Sequence, residues 1–397
     1  MWDFDLLIVG AGPGGSNAAA VALNAGLKVA QIDAARFPRV KPCAGGITIK
    51  AAAALQTAIG ASSSFNTIEF SLWGRRRNRF AHVRPVLHTV CRPQFDAELV
   101  QQNLSHRNFT FLDGHRATAV HYDGRFTVTT SRGVLTAAQL IGADGAYSIV
   151  NRTFRVATPR IVATALEINL PDRDAAHHVP CLDYGAIPYG YGWVFPKTDH
   201  LSVGLYTLAP RTRNIRTELR AYARSKGLAD GESAAVEAFR LPVGGFVLRA
   251  PKCPVYIVGD AGGFADALTG EGIYYALESG RLAGETAVHV ASGGQDHQRY
   301  YRRLWRTVLC DTAATYFVAK AFYHNLDRGL RVLEHPLVWR PLIEGAADGT
   351  TFTDCVLSAL LMRRSQRSRA LLERCEWRAS TIASTDKRVG RPLGENT

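Results

Sequence analysis

The sequence predicts an α/β protein: a parallel nucleotide-binding sheet, an antiparallel sheet inserted into it, and a helical C-terminal region. Three observations lead there. The chain opens on a βαβ pattern, with an apolar run at Phe4–Val9, a glycine-rich turn at Gly10–Gly15, an alanine-rich stretch at Ser16–Ala25 and a second apolar run at Leu27–Ile32. Between about Pro159 and Gly245 the composition shifts to short strands rich in aromatics, with a Pro-Tyr-Gly turn and a single helix near Thr217–Ser225. Val255–Val258 then forms another compact apolar strand ending in Gly259-Asp260, and helical spacing over Gly272–Ala291 re-enters the first unit.

The remaining elements follow in order. A Pro- and Gly-rich basic loop at Arg36–Gly46 leads to a helical stretch at Thr48–Ala58, strand-like pieces at Thr67–Trp73 and Phe80–Val83, and a helix at Arg92–Asn103. Asp113-Gly114, Asp123-Gly124 and Arg132-Gly133 are turn signals that divide Phe109–Ile141 into short β pieces. No repeat of 20 to 50 residues is present. The expected units are a discontinuous dinucleotide domain (1–65, 92–158 and 250–295), a β-sheet substrate domain (66–91 and 159–249), a helical region (296–378) and a loose polar tail (379–397).

Composition narrows the function. A hydrophobic fraction of 47% over 397 residues allows a large core and argues against general disorder. The 47 Lys and Arg exceed the 34 Asp and Glu by 13, which favours anionic partners such as phosphates or acidic lipids. Nucleic-acid binding would need a recognisable module, and none is present. No apolar run reaches the roughly 18 to 20 residues of a membrane span, so Cys310–Tyr323 and Phe352–Met362 are expected as buried or interfacial helices. The opening Met1–Asp5 has no basic leader, so a cytoplasmic location is expected, with peripheral membrane contact as an option. Seven scattered cysteines form no Cys-x-x-Cys pair, and no His-Glu-x-x-His helix is present, so neither a disulfide framework nor a metal site is expected.

Gly10-Ala11-Gly12-Pro13-Gly14-Gly15 satisfies G-x-G-x-x-G between a strand and a helix, and Asp33 ends the next strand. Gly10 permits the turn, Gly12 lets backbone amides approach a pyrophosphate, and Gly15 allows close helix packing. Asp33 is placed to accept ribose hydroxyls. This motif alone does not separate FAD from NAD.

The separation comes from Val255–Phe264 and Leu268-Thr269-Gly270-Glu271-Gly272-Ile273, which resemble the FAD hydroxylase-type flavoproteins. The resemblance implies that Asp260 binds the ribityl chain of FAD and that Gly270, Gly272 and Ile273 face the flavin ring. Ile141-Gly142-Ala143-Asp144-Gly145-Ala146-Tyr147-Ser148 resembles the Asp-Gly motif of the same proteins.

Within that class the sequence is more similar to the geranylgeranyl reductase family, over roughly residues 4 to 290. Lys41-Pro42-Cys43-Ala44-Gly45-Gly46 resembles that family's loop beside the flavin, placing Cys43, Ala44 and Gly46 near the cofactor. Arg92-Pro93-Gln94-Phe95-Asp96 resembles its helix start, where the Arg contacts FAD; an Arg there opposes the helix dipole, and a phosphate partner would explain it. Tyr191-Gly192-Trp193-Val194-Phe195-Pro196 matches its substrate-cavity signature. On a strand Tyr191, Trp193 and Phe195 share one face, and Gly190 and Gly192 would admit a ligand. As bare sequence, Cys43 also reads as a packed thiol and the aromatic stripe as plain core.

The resemblance implies a Rossmann-type FAD-dependent reductase that saturates C=C bonds of a polyprenyl chain on a lipid, quinone, pigment or diphosphate. NADPH or reduced ferredoxin would supply electrons transiently, since no second G-x-G-x-x-G follows a strand. Cys43, Tyr191 and Trp193 are the expected catalytic residues, with Cys43, Tyr191 or water giving the proton, and Phe195, Tyr274 and Tyr275 completing an aromatic pocket. One alternative is a flavin monooxygenase or halogenase of an aromatic substrate, although the halogenase pair of tryptophans is reduced to Trp193. A second is a prenyl-lipid or quinone binder with a vestigial flavin site. Arg299–Arg306 and Arg363–Arg369 are basic segments, read as solvated faces or lipid contacts. The oligomeric state is not legible.

Overall fold

The computed structural model describes residues 3–356 except 57–59, 61–62, 74–75, 173, 211–213, 229–233 and 248. The basic segment Arg363–Arg369 and the tail from 379 lie outside the described residues.

A seven-stranded mixed sheet carries the first unit. Phe109–Leu112, Val29–Ile32, Phe4–Val9 and Gly133–Gly142 run parallel in that spatial order. Gly133–Gly142 is shared: its first half pairs antiparallel with Phe126–Thr130, and its second half pairs parallel with Val255–Ile257. Leu140 and Val255, 115 positions apart, are thereby set side by side, which is why the late strand returns the chain to the opening unit. Both faces are covered, so the central strands read as unbroken apolar runs rather than alternating ones; Leu6, Leu7, Ile8, Leu140, Ile141 and Ile257 are fully buried. Helices Pro13–Asn24 and Ile273–Ala291 pack together through small residues, and a Cβ on Gly280 would collide with the Gly14 carbonyl.

A second seven-stranded sheet runs in the order Glu237–Val243, Ile161–Pro171, His200–Thr207, Gly190–Pro196, Cys181–Tyr184, Thr67–Leu72, Arg76–Ala81. It is antiparallel except for Cys181–Tyr184 against Thr67–Leu72, which is parallel. The expected strand at Phe80–Val83 begins earlier, at Arg76; its run of arginines hides it, and Arg79 is held by Glu69 on the neighbouring strand at 2.9 Å. The expected helix at Thr48–Ala58 is only Ile49–Ala53, capped by the Thr48 hydroxyl.

Helices Cys310–His324, Leu326–Leu333 and Pro336–Asp348 follow, with residues 352–356 also helical, and among the described residues no helix is long and apolar enough to cross a membrane. The segment Arg299–Arg306 has two faces: Arg299, Arg302 and Arg306 are exposed, as a solvated face requires, and the tyrosines between them face inward. Tyr300 and Tyr301 are buried and donate to the carbonyls of Ile257 (2.5 Å) and Val255 (2.8 Å), anchoring this helix to the late strand. Arg303 pairs with Glu285 at 2.6 Å and Arg302 with Asp296.

Candidate active site

A single cavity of about 1180 Å3 begins at the glycine turn of the first sheet and ends among side chains of the second sheet and of helix Pro336–Asp348. Every site residue expected from the sequence lies on its wall except Tyr274 and Tyr275.

The first arm is made of backbone. Gly10 takes φ +105°, a left-handed conformation that favours glycine, and a Cβ there would strike the Ala143 carbonyl. At Gly14 a Cβ would meet Val258 at 2.6 Å, and at Gly15 the Gly10 carbonyl. Gly12 differs: its nearest neighbour would be Arg39, 3.5 Å away, so that face is open to the cavity. Helix Pro13–Asn24 has no acidic residue in its first turn and no side-chain cap, which leaves its N–H groups and positive dipole end for an anion. Asp33 accepts from the N–H groups of Ala11 (2.9 Å) and Ala35 (2.8 Å), and each carboxylate oxygen keeps a lone pair for a ribose hydroxyl. Asp144 Oδ1, also on the wall, is buried without a hydrogen-bond partner. An open glycine face, an uncapped helix start and an orphaned acceptor together fit a dinucleotide such as FAD.

From the other side come Asp260, on the turn Gly259–Ala261 with Lys41 Nζ at 3.7 Å, and the uncapped start of helix Ile273–Ala291, preceded by Gly270 and Gly272. A second helix dipole therefore points into the same space.

The Cys43 loop crosses between the arms. The Cys43 N–H donates to Glu167 Oε1 at 2.9 Å, and the Gly45 N–H donates to Cys43 Sγ at 3.3 Å. Ala44 offers its carbonyl to Lys197, whose Nζ also donates to the Val90 carbonyl at 3.0 Å. A Cβ on Gly46 would press on the Phe195 ring at 3.0 Å. Burial raises the Glu167 carboxyl above its usual range, against the Cys43 N–H and Lys197 that lower it. Burial also pulls Lys197 down to about 8. These two residues were missed in the sequence. Lys197 follows Phe195-Pro196 directly, which was the available signal; Glu167 sits on a strand with no motif at all.

Arg92 lies on the cavity wall and also has a carboxylate partner within the protein. Its guanidinium is bidentate with Asp96 one turn on, at 2.9 and 2.8 Å, and Arg39 joins the same carboxylate at 3.0 Å.

The second arm is made of side chains. Tyr191, Trp193 and Phe195 share one face of Gly190–Pro196, as the strand period requires. Ile68, Phe70, Leu182 and Phe239 from the same sheet join them, with Leu342, Ile343 and Ala346 from the C-terminal helix. The glycines of this strand do not serve a ligand: a Cβ on Gly190 would strike the Tyr206 carbonyl, and one on Gly192 would lie 2.5 Å from the Tyr222 ring. The Tyr191 hydroxyl donates to the Thr269 carbonyl, and burial among Tyr206, Tyr184 and Asp266 holds its pKa well above the usual value, so Tyr191 is an anchor and a poor acid. The Trp193 N–H donates to Ser202 Oγ at 3.1 Å. Tyr274 and Tyr275 are not on the wall; they flank Lys50, 4.6 and 5.0 Å from their rings, and Tyr275 donates to Asp311 at 2.5 Å.

Among the described residues, Cys91, Asp199 and His200 bring metal-ligand atoms within 4.8 Å of one another, away from the cavity wall.

No family model matches the sequence. Among curated proteins, the chain is 34% identical to an uncharacterised protein of Methanosarcina barkeri, over 93% of this chain and 98% of that one. It is 31% identical to the menaquinone reductase of Mycobacterium tuberculosis, over 77% and 80% of the two chains. It is 28% identical to digeranylgeranylglycerophospholipid reductase 1 of Methanopyrus kandleri, over 78% and 88%. Among solved structures, a geranylgeranyl bacteriochlorophyll reductase-like protein of Thermoplasma acidophilum superposes with TM-score 0.72 at 18% identity, covering 93% and 98% of the chains. The halogenase PltM, solved with FAD, shares the fold with TM-score 0.70 at 15% identity, covering 93% and 85%.

Proposed function

Because the chain belongs to the geranylgeranyl reductase family of FAD-dependent oxidoreductases, we propose that it saturates C=C bonds of a polyprenyl chain carried on a lipid, quinone, pigment or diphosphate. The observation that carries this reading is the joining of the two arms: a glycine cradle fit for FAD opens without a wall into an aromatic and aliphatic pocket. Gly10, Gly12, Gly14, Gly15 and Asp33 would hold the adenosine and pyrophosphate portion, and Asp260, Gly270, Gly272 and Ile273 the flavin portion. Reduced FAD supplies a hydride. The protein's own work is then to hold a greasy chain dry and in register along Tyr191, Trp193 and Phe195, and to bring a proton to the second alkene carbon. Cys43, fixed by Glu167 and Gly45, shapes the space between the arms. On this reading the first sheet with its helices is the FAD-binding unit and the second sheet the substrate unit.

The electron donor is a transient one, NADPH or reduced ferredoxin. The excess of 13 positive charges favours peripheral contact with an anionic membrane, where such substrates reside. The halogenase or monooxygenase alternative rests on shared fold alone.

The test is a product assay. Reduced protein is given geranylgeranyl lipids, menaquinones and geranylgeranyl diphosphate separately, without oxygen, and products are weighed by mass spectrometry. The expected result is a gain of two hydrogens per saturated bond with at least one head group; unchanged masses throughout would overturn the reading.

A further inference from the structure

An unactivated alkene is a weak base, so its reduction is limited by how acidic a group the pocket can present. On the wall near the aromatic strand, Lys50 and Glu271 are tied to each other at 2.9 Å, and Cys43, Tyr191, Tyr206 and Asp266 are further side chains that can carry a removable proton. The tyrosines are already engaged. Tyr191 donates to the Thr269 carbonyl and Tyr206 to the Ala267 carbonyl at 3.1 Å, and burial makes both weaker acids than a free phenol.

Asp266 is different. It is 5% exposed, yet its surface faces the cavity. Its own N–H donates to the Glu271 carbonyl at 2.9 Å, while Oδ1 accepts from the Leu268 N–H at 2.6 Å and Oδ2 from the Thr269 hydroxyl at 2.8 Å. These bonds fix the carboxyl plane and still leave each oxygen a free lone pair. The loop is itself clamped from outside, since Tyr206, Tyr323 and Tyr191 donate to three successive carbonyls, those of Ala267, Leu268 and Thr269. Such a frame holds a reacting group in one geometry.

The charge environment favours the acid form. The groups facing Asp266 are Tyr184, Tyr191, Tyr206, Tyr275 and Tyr323, all neutral, with Lys50 and Glu271. Lys50 is itself bound to Glu271 at 2.9 Å, and no described cation pairs with Asp266. Burial raises the Asp266 carboxyl above the usual carboxylate range, against the Leu268 N–H, Thr269 and Lys50 that lower it.

We propose that Asp266 is the general acid of the pocket, giving its proton to one carbon of the substrate double bond. The proposal rests on the prenyl-reductase reading. One alkene carbon gains a hydride from reduced FAD, which is left oxidised. The other gains the Asp266 proton, leaving a carboxylate that recovers a proton from water after product departs. No further co-reactant is needed.

The test uses the holoprotein with Asp266→Asn, which keeps an acceptor for the Leu268 N–H and a partner for the Thr269 hydroxyl, and Asp266→Glu. Infrared spectroscopy of the oxidised wild type near neutral pH should show a protonated carboxyl stretch that is absent from Asp266→Asn, a readout that needs no turnover. With the flavin absorbance retained, single-turnover product formation in Asp266→Asn should fall on the order of 10²- to 10⁴-fold, and Asp266→Glu should recover part of it. In wild type the rate should decline as pH rises and the acid form is lost. If Asp266→Asn does not retain FAD, the infrared band and the Glu variant decide. A missing band in wild type, or an Asn variant within about threefold of wild type, would overturn the proposal. A band present in a wild type that reduces no prenyl substrate would instead overturn the reductase reading and leave the neutral Asp266 standing.

Discussion

The two arms of the cavity are made of different material. In the first, the wall is main chain: at Gly10, Gly14 and Gly15 a single added carbon meets backbone or packed side chain. In the second, the wall is side chain from four strands and a C-terminal helix, with Trp193 hydrogen-bonded to Ser202 and the Tyr191 ring set 5.1 Å from that of Tyr206. Backbone walls are intolerant in an all-or-none way, because peptide groups cannot be trimmed or rotated aside. Side-chain walls yield by degrees, since a truncated residue leaves a cavity that its neighbours partly fill.

The sharpest way to break this contrast is Gly15→Ala. Its Cβ points at the Gly10 carbonyl across the cradle, so the expected result is protein purified without FAD and with a lowered melting temperature, read by absorbance and by thermal unfolding. A yellow, fully loaded Gly15→Ala protein would show that the cradle is more plastic than its geometry implies. Trp193→Ala probes the other arm. Trp193 is 3% exposed and central to the aromatic strand, so a cost of about 3–5 kcal/mol in stability is expected, with FAD still bound when supplied in excess.

Lys197, at the junction, turns the contrast into a pH effect. The folded protein releases this proton near pH 8, whereas the unfolded chain keeps it to about 10.5. Between those values the unfolded state binds more protons, so wild-type stability relative to Lys197→Met should rise with pH across that window, by up to about 3 kcal/mol, in denaturant titrations. A flat difference would mean that the ammonium is not desolvated by its place behind the Cys43 loop. The smallest effect is expected at Gly192→Ala: about 1–3 kcal/mol of overpacking against the Tyr222 ring, with the flavin spectrum unchanged. A changed spectrum would place this glycine in the service of the cavity and not of the packing behind it.

The same difference in material explains what the sequence could disclose. The cradle was legible because its geometry demands glycine, and glycine at fixed spacing between a strand and a helix is visible in one dimension. The return of Val255–Ile257 to the opening sheet was legible for a related reason, since Gly259-Asp260 punctuates a short apolar strand. The aromatic stripe was visible as a period of two, but its neighbours Ile68, Leu182 and Leu342 come from distant segments with no motif. Arg92 was legible from its clash with the helix dipole and lies on the cavity wall, whereas its partner Asp96, one turn away, carried no signal of its own. Gly192 misled because the space a glycine leaves open was assigned to a ligand, when the Tyr222 ring fills it. Arg299–Arg306 hid two buried tyrosines among its arginines.

The joining of a flavin cradle to a prenyl pocket is tested most directly by anaerobic stopped-flow. Photoreduced holoprotein is mixed with a geranylgeranyl substrate, and the oxidised-flavin absorbance should return with one saturated bond formed per flavin. Flavin that stays reduced with every prenyl substrate, and reoxidises only with oxygen and an aromatic compound, would contradict it.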